Sequence, residues 1–356
     1  VINTFAGSKD FSCYSVVDER SAAFFALGMA IRSGKTVALN CTSGTAALNY
    51  APAVAEAFYQ KVPLLILTAD RPVEWTDQAD GQTIRQRNLY GNHIRKSVEL
   101  PQHIHTADDL WHINRLINEA VNACRHPVPG PVHINLPFAE PLYDTIETTL
   151  PEVRLISHYS GAHILGADQK ALFTDIFSSS QKIMLLAGQD VKNGGEDLLN
   201  EIAALSRVIM LTESTSNIPN PHGVGCIDKV LATIDKEEEK DFAPDLLLTF
   251  GEAIVSKRIK AFLRRHRIQN HIHINPTPYH PDTYQQLTHS VFMEALPFFH
   301  QLMPGLNAKN GDFHDRWISK RILSEARDNS FLENTGFSDM KVFQEIFHHL
   351  PGGSDL

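Results

Sequence analysis

A carboxylate, Glu19, opens a small-residue apolar run, Ser21-Ala22-Ala23-Phe24-Phe25-Ala26-Leu27-Gly28, directly after the extended pattern Tyr14-Ser15-Val16-Val17. An acid where an extended segment turns into a helix is well placed to meet a ligand, because loops at strand ends carry sites on rigid scaffolds. The same placement also complements a helix dipole, so position alone leaves both roles open. A second polar junction, Cys41-Thr42-Ser43-Gly44-Thr45, opens another such helix. There Thr42 or Ser43 is a candidate helix cap, a role compatible with a ligand-facing loop. Arg71 sits in a turn, and Gln82 and Arg85 follow in a long irregular stretch. Lys257 and Arg258 stand at a helix start, where the dipole disfavours cations, and a placement that costs stability hints at use.

The elements that must hold these residues alternate along the chain. Residues 37–41 form a short buried-strand pattern, 45–59 a helix, and 63–68 a strand apolar on both faces, as in a central parallel strand. Residues 70–94 give few regular signals. A helix over 110–124 is broken by Pro127-Val128-Pro129-Gly130-Pro131, and 132–137 forms a strand. A linker is expected over 142–160. A second alternating unit has strands at 182–187, 207–211, 245–251 and 271–275, with helices over 197–205 and 257–265. Residues 312–350 are helical in pattern. This β-α-β alternation implies α/β architecture with two doubly wound parallel sheets.

Composition excludes several functions. A net charge of -9 argues against a nucleic-acid partner, whose phosphates demand a basic face, but leaves room for small anionic substrates. The longest apolar runs are strand-sized, so no membrane partner is expected. Four cysteines, Cys13, Cys41, Cys124 and Cys226, are widely spaced and form no CxxC, which fits a reducing cytoplasm. His103/His105 and His271/His273 alternate along extended segments, but no further ligand-spaced group stands near them, so no metal site is assigned. Gly188…Gly194-Gly195 is not GxGxxG and gives no dinucleotide site; a glycine at a strand end more often permits a tight turn.

Asp18-Glu19-Arg20-Ser21-Ala22-Ala23-Phe24 resembles the glutamate motif of thiamine-diphosphate (ThDP) enzymes, and Thr42-Ser43-Gly44-Thr45-Ala46 resembles the loop that follows it. Thr68-Ala69-Asp70-Arg71-Pro72 and Asp80-Gly81-Gln82-Thr83-Ile84-Arg85-Gln86 narrow the likeness to the ThDP synthase family of menaquinone biosynthesis. The resemblance is dense from Val16 to Pro137 and reduces to isolated motifs thereafter. It implies a pyrimidine-binding domain over 1–145, a linker over 146–165, a central Rossmann-like domain over 166–305, and at 306–356 a linker with the beginning of a diphosphate-binding domain.

The resemblance also implies roles. Glu19 is the carboxyl set against the cofactor's aminopyrimidine ring, where it promotes loss of the thiazolium proton. A carboxyl in that role must be sheltered, and the apolar Val16-Val17 segment is expected to shelter it. Ser43, Gly44 and Thr45 lie beside the cofactor. Arg71, Gln82, Lys257 and Arg258 face the substrates, with Arg85 a weaker candidate. A guanidinium grips a carboxylate through two parallel hydrogen bonds, which suits 2-oxoglutarate and isochorismate. The implied reaction decarboxylates 2-oxoglutarate and adds a succinyl-semialdehyde carbanion equivalent to isochorismate. A homodimer or homotetramer is implied as well. An acetolactate synthase-like enzyme and a non-catalytic α/β binding protein are the alternatives, and residues 160–300 are a further candidate for holding a regulatory metabolite in a cationic cleft near Lys257. Both ends of the chain look cut. The family's Pro-Gly-Ser-Arg-Asn segment and its Mg²⁺- and diphosphate-holding Gly-Asp-Gly motif have no counterpart here, so the chain alone is expected to bind ThDP poorly and to be inactive.

Overall fold

Two parallel sheets organise the computed structural model, which describes residues 1–139, 153–158, 164–189, 196–277, 279–302 and 310–351. The chain divides into two units, Val1–Gly161 and Ala162–Leu356. In the first unit the helices are α1 (Ile2–Gly7), α2 (Glu19–Ser33), α3 (Thr45–Asn49), α4 (Ala51–Tyr59) and α5 (Ala107–Ala123). Its strands are β1 (Val37–Cys41), β2 (Leu64–Asp70), β3 (Lys96–Glu99) and β4 (Val132–Pro137), all parallel in the order β1-β2-β4-β3. Alternate residues of β2 go to opposite faces. Leu64 and Ile66 pack with Ala23, Ala26 and Leu27 of α2 and with Ala53, Val54 and Ala57 of α4. Leu67 packs with Val98, Ile134 and Ala120 of α5 on the other side. The alanine-rich faces of α2 and α4 carry little side-chain bulk, which lets both backbones lie close to the sheet.

Three details of this unit differ from the sequence reading. The helix expected over 45–59 is two helices, broken at Tyr50, because Pro52 in the first turn of α4 has no N–H to donate backward. β3 lies inside a region without a clear strand signal, and it is short and paired on one side only, with β4. Residues 14–17 pair with no strand among the described residues, and Val17 is 98% exposed, so Val16-Val17 does not form the expected apolar strand beside Glu19.

In the second unit the strands are β5 (Ile183–Ala187), β6 (Val208–Thr212), β7 (Leu246–Phe250), β8 (Asn270–Ile274) and β9 (His289–Val291), parallel in the order β6-β5-β7-β8-β9. The helices are α6 (Ala167–Ser179), α7 (Glu196–Ala203), α8 (Ile227–Leu231), α9 (Glu239–Phe242), α10 (Lys257–Arg265), α11 (Ala295–Leu302), α12 (Phe313–Asn334) and α13 (Asp339–His349). Ile183, Leu185 and Ala187 face α6, α7 and α11, whereas Met184 and Leu186 face α8, α10 and α12. The sheet is thus covered on both sides, and the α/β, doubly wound fold class is borne out. α12 carries Phe313 and Trp317 into this core, where Trp317 meets Phe242 edge-on at 5.5 Å. The linker expected over 142–160 falls largely outside the described residues, as do Gly194 and Gly195. Gly188 has a sharper reason than turn formation: a Cβ there would stand 1.9 Å from the Glu252 carbonyl oxygen.

Candidate active site at the carboxyl ends of the first sheet

The start of α2 divides two acids between two tasks. Asp18 is the cap, its Oδ1 accepting from the Ser21 N–H at 2.7 Å, and this hydrogen bond holds its carboxyl below the usual carboxylate range. Glu19 is thereby relieved of capping. It is half-buried and makes no hydrogen bond or ion pair with the described residues. Its charge bears on the end of β1. Burial pushes the Cys41 thiol up to about 12, and Glu19 adds to that shift; burial likewise raises the Tyr50 phenol, with Glu19 again contributing. Glu19 thus lies close enough to the Cys41–Tyr50 end of β1 for its charge to be felt there, whereas the expected shelter by Val16-Val17 is not found.

The loop after β1 is held by a backbone crossing. Gly44 has φ +83 and ψ -149, and a Cβ built on it would lie 3.3 Å from both the Cα and the carbonyl oxygen of Gln82. Gly44 occupies the cap position of α3 with no side-chain cap, so neither Thr42 nor Ser43 caps that helix. The reason is that the loop's anchor comes from outside it: the Gly44 N–H donates to Gln86 Oε1 at 2.8 Å. Ser43 is buried in this loop and Thr45 is exposed at its exit. Gln82 is itself left-handed at φ 55, with an exposed side chain. Gly44→Ala combines strained φ with a tight contact, so we expect a loss of about 1–3 kcal/mol of stability and displacement of residues 80–84. Denaturant unfolding of the variant checks this; an unchanged midpoint would show that the crossing carries no constraint.

Beneath the loop runs a buried polar network that the motif reading missed. Gln86, Thr68, His133 and Asn135 are all at most 1% exposed. Gln86 Nε2 donates to the Ala69 carbonyl and to Asn135 Oδ1, both at 3.0 Å. Asn135 Nδ2 donates to Asp70 Oδ2 at 2.7 Å, and Asp70 Oδ1 accepts from the Arg71 N–H at 2.8 Å. Burial raises the Asp70 carboxyl, against the lowering effect of the Asn135 hydrogen bond. A carboxylate accepts only, so Asn135 must turn its amide nitrogen to Asp70 and its oxygen to Thr68, which then donates at 2.8 Å. With its one proton so used, Thr68 Oγ1 accepts from His133 Nε2–H at 2.7 Å, and His133 Nδ1 is left to accept from Ser97 Oγ at 3.3 Å. The neutral tautomer agrees with burial, which lowers His133 to about 4. One sequence signal pointed here: His133 and Asn135 alternate on one face of an otherwise apolar central strand, where a polar side chain requires a partner.

Arg71 turns its guanidinium to Asp80, with Nη2 at 3.1 Å, and the pair is partly exposed. Arg85 pairs with Asp77 at 2.8 Å on the surface, where it takes no part in the network. Glu19, Ser43, Gly44 and Arg71 thus gather at the carboxyl ends of β1 and β2, with the Gln82 backbone laid over Gly44.

In the second unit Lys257 and Arg258 are exposed on the first turn of α10 and make no ion pair among the described residues. The cost expected of cations at a helix start is offset locally. Ser256 Oγ accepts from the Ile259 N–H at 3.1 Å, and the Glu213 carboxylate accepts from the Val255 and Ser256 N–H groups, each at 2.7 Å. His271 and His273 are buried, and Thr249 Oγ1 bonds Nε2 of the first and Nδ1 of the second at 2.9 Å each. Among the described residues no group of three His, Cys, Asp or Glu could hold a metal. No helix among them is long and apolar enough to cross a membrane.

Comparison with known proteins bears on this geometry. Residues 1–89 match the family described as thiamine pyrophosphate enzyme, N-terminal TPP binding domain. A 2-succinyl-5-enolpyruvyl-6-hydroxy-3-cyclohexene-1-carboxylate synthase of Flavobacterium johnsoniae is 38% identical over 355 residues, 99% of this chain and 63% of the relative. The chain is similar to these synthases along nearly its whole length. Proteins of that name from Bacteroides fragilis (38% over 319 residues, 89% of this chain and 57% of the relative) and Desulfotalea psychrophila (36% over 358, 99% and 64%) match as well. The motif-based resemblance to a ThDP synthase is therefore borne out. The chain spans less than two thirds of the length of these curated relatives.

Proposed function

We propose that this chain supplies the pyrimidine-facing and central parts of a ThDP-dependent synthase that decarboxylates 2-oxoglutarate and joins the product to isochorismate, in menaquinone biosynthesis. The observation that carries the reading is Glu19: a half-buried carboxyl that makes no side-chain hydrogen bond or ion pair with the described residues, at the same end of β1 as the Gly44 loop. ThDP, when bound, supplies the electron sink for losing carbon dioxide from a 2-oxoacid. The residues fit such a group, because Glu19 is free to hold a proton or hydrogen bond at a ring nitrogen, and Ser43, Gly44 and Thr45 offer a loop whose central residue carries no side chain. Arg71 grips a substrate carboxylate with the edge of its guanidinium that Asp80 leaves open, and the exposed Gln82 side chain offers an amide. Lys257 and Arg258, which make no ion pair among the described residues, are further candidate cations for a dicarboxylic substrate. Mg²⁺ is proposed on the needs of the cofactor's diphosphate alone. A homodimer or homotetramer is proposed on the resemblance alone, and a reducing cytoplasm is supported by four free cysteines, of which Cys13 and Cys226 are exposed. The synthase names of the relatives do not favour the acetolactate synthase-like or non-catalytic readings.

The test is turnover by the complete gene product with ThDP and Mg²⁺, offering isochorismate with either 2-oxoglutarate or pyruvate. Product is expected from 2-oxoglutarate only. Arg71→Ala should lower kcat/KM about 10- to 100-fold, the loss of one charged hydrogen-bonded grip, with the fold retained. Equal use of pyruvate, or unchanged kinetics in Arg71→Ala, would overturn the assignment.

A further inference from the structure

We infer that Gln86, a residue that touches neither cofactor nor substrate in the proposed site, is the positioning residue that sets the Gly44 loop against them. The inference rests on the proposed function for the meaning of that loop, and on the hydrogen-bond geometry for everything else. Gln86 is 1% exposed and lies 42 residues from Gly44 in sequence, yet its amide bonds the Gly44 N–H directly. All three of its hydrogen bonds are made, and they tie three strand ends together: the loop after β1 through Gly44, the end of β2 through the Ala69 carbonyl, and β4 through Asn135. The sense of the amide is not free. Asp70 accepts only, which fixes Asn135; Asn135 Oδ1 in turn accepts only, which makes Gln86 present nitrogen to it and oxygen to Gly44. Gln86 also anchors the segment that lays the Gln82 backbone on Gly44. One side chain thus fixes both the Ser43–Thr45 loop and the approach of Gln82 to it.

Two substitutions in the complete gene product separate positioning from mere stability. Gln86→Met keeps length and volume but loses all three hydrogen bonds. Gln86→Glu keeps an acceptor for Gly44, but when ionised it sets a carboxylate against the two acceptors that the amide nitrogen served. When protonated, its hydroxyl can again donate to one of them. The readouts are amide hydrogen exchange over residues 41–48, and kcat and KM with 2-oxoglutarate across pH. We expect exchange at Gly44 to speed up at least tenfold in Gln86→Met, and kcat to fall at least tenfold while KM changes less. In Gln86→Glu the activity relative to wild type should rise as pH falls, because protonation restores a donor. A purely structural residue would change the melting temperature without that pH-dependent ratio.

Unchanged exchange at Gly44 in Gln86→Met would overturn the inference. So would faster exchange with unchanged kinetics, provided that Glu19→Gln in the same background is inactive. Full activity in Glu19→Gln would instead overturn the proposed function on which the inference stands. Should Gln86→Met fail to fold, the pH-dependent ratio in Gln86→Glu decides, and a flat ratio would refute the positioning role.

Discussion

Glu19→Gln in the complete gene product is expected to lower kcat about 10²–10⁴-fold, the range of a lost acid–base group, while leaving the fold intact. The structural half of this expectation rests on the division of labour at the start of α2. Asp18 caps the helix through the Ser21 N–H, so the helix does not depend on Glu19. Glu19 makes no hydrogen bond or ion pair with the described residues, and an isosteric amide there strands no partner. The chemical half rests on the difference between a carboxyl and an amide: an amide can accept or donate a hydrogen bond at a ring nitrogen but cannot exchange a proton with it. Unfolding midpoints within experimental error of wild type, together with the collapse in kcat, would separate chemistry from stability. Retained activity would remove Glu19 from the mechanism.

Acid is expected to destabilise both units, through two buried imidazoles. Burial lowers His133 to about 4, and burial followed by the nearby His273 lowers His271 to about 4. In the unfolded chain each titrates near the ordinary ~6.5. Between those values the unfolded chain binds a proton that the folded one does not, so stability rises with pH in that window. The contribution is complete above about 6.5 and is lost as pH falls toward 4, amounting to roughly 3 kcal/mol for each histidine. Denaturant unfolding at pH 7, 5.5 and 4 should show this decline, and His133→Gln should flatten it for the first unit. NMR titration of His133 near 6.5 in the folded protein would refute the argument.

The sheet and its helices were legible because each central strand is apolar at successive positions and each helix is marked by small or periodic apolar residues. Leu64 to Leu67 specified a strand buried on both faces, and 257–265 specified α10 to the residue. Other elements escaped, among them α1, α6, α8, α9, α11 and β9. Two misses in the first unit have local reasons: β3 is four residues long with one partner strand, and the break at Tyr50 depends on Pro52 inside a run that is helical by pattern. The candidate site residues Glu19, Ser43, Gly44, Arg71 and Gln82 were singled out through motifs, which report identity and not contact. Gln86, Asn135, Thr68 and His133 were passed over because their importance lies in pairings across 17 to 67 positions of sequence. No local pattern encodes such a pairing, beyond the anomaly of polar residues alternating in a buried strand.

From Ser97 through His133, Thr68 and Asn135 to Asp70, every donor points the same way. Bond dipoles so arranged add head to tail, as peptide groups do along a helix, and their positive ends converge on the Asp70 carboxylate. The interior of the first unit is in this sense a small electret, whose field offsets part of the cost that burial imposes on the Asp70 carboxylate. That leaves the Arg71 guanidinium outside the arrangement and facing Asp80. It also makes the run poorly evolvable one step at a time. Exchanging Asn135 for an isosteric aspartate would set two carboxylates face to face, and reversing any one link would oblige every link after it to reverse.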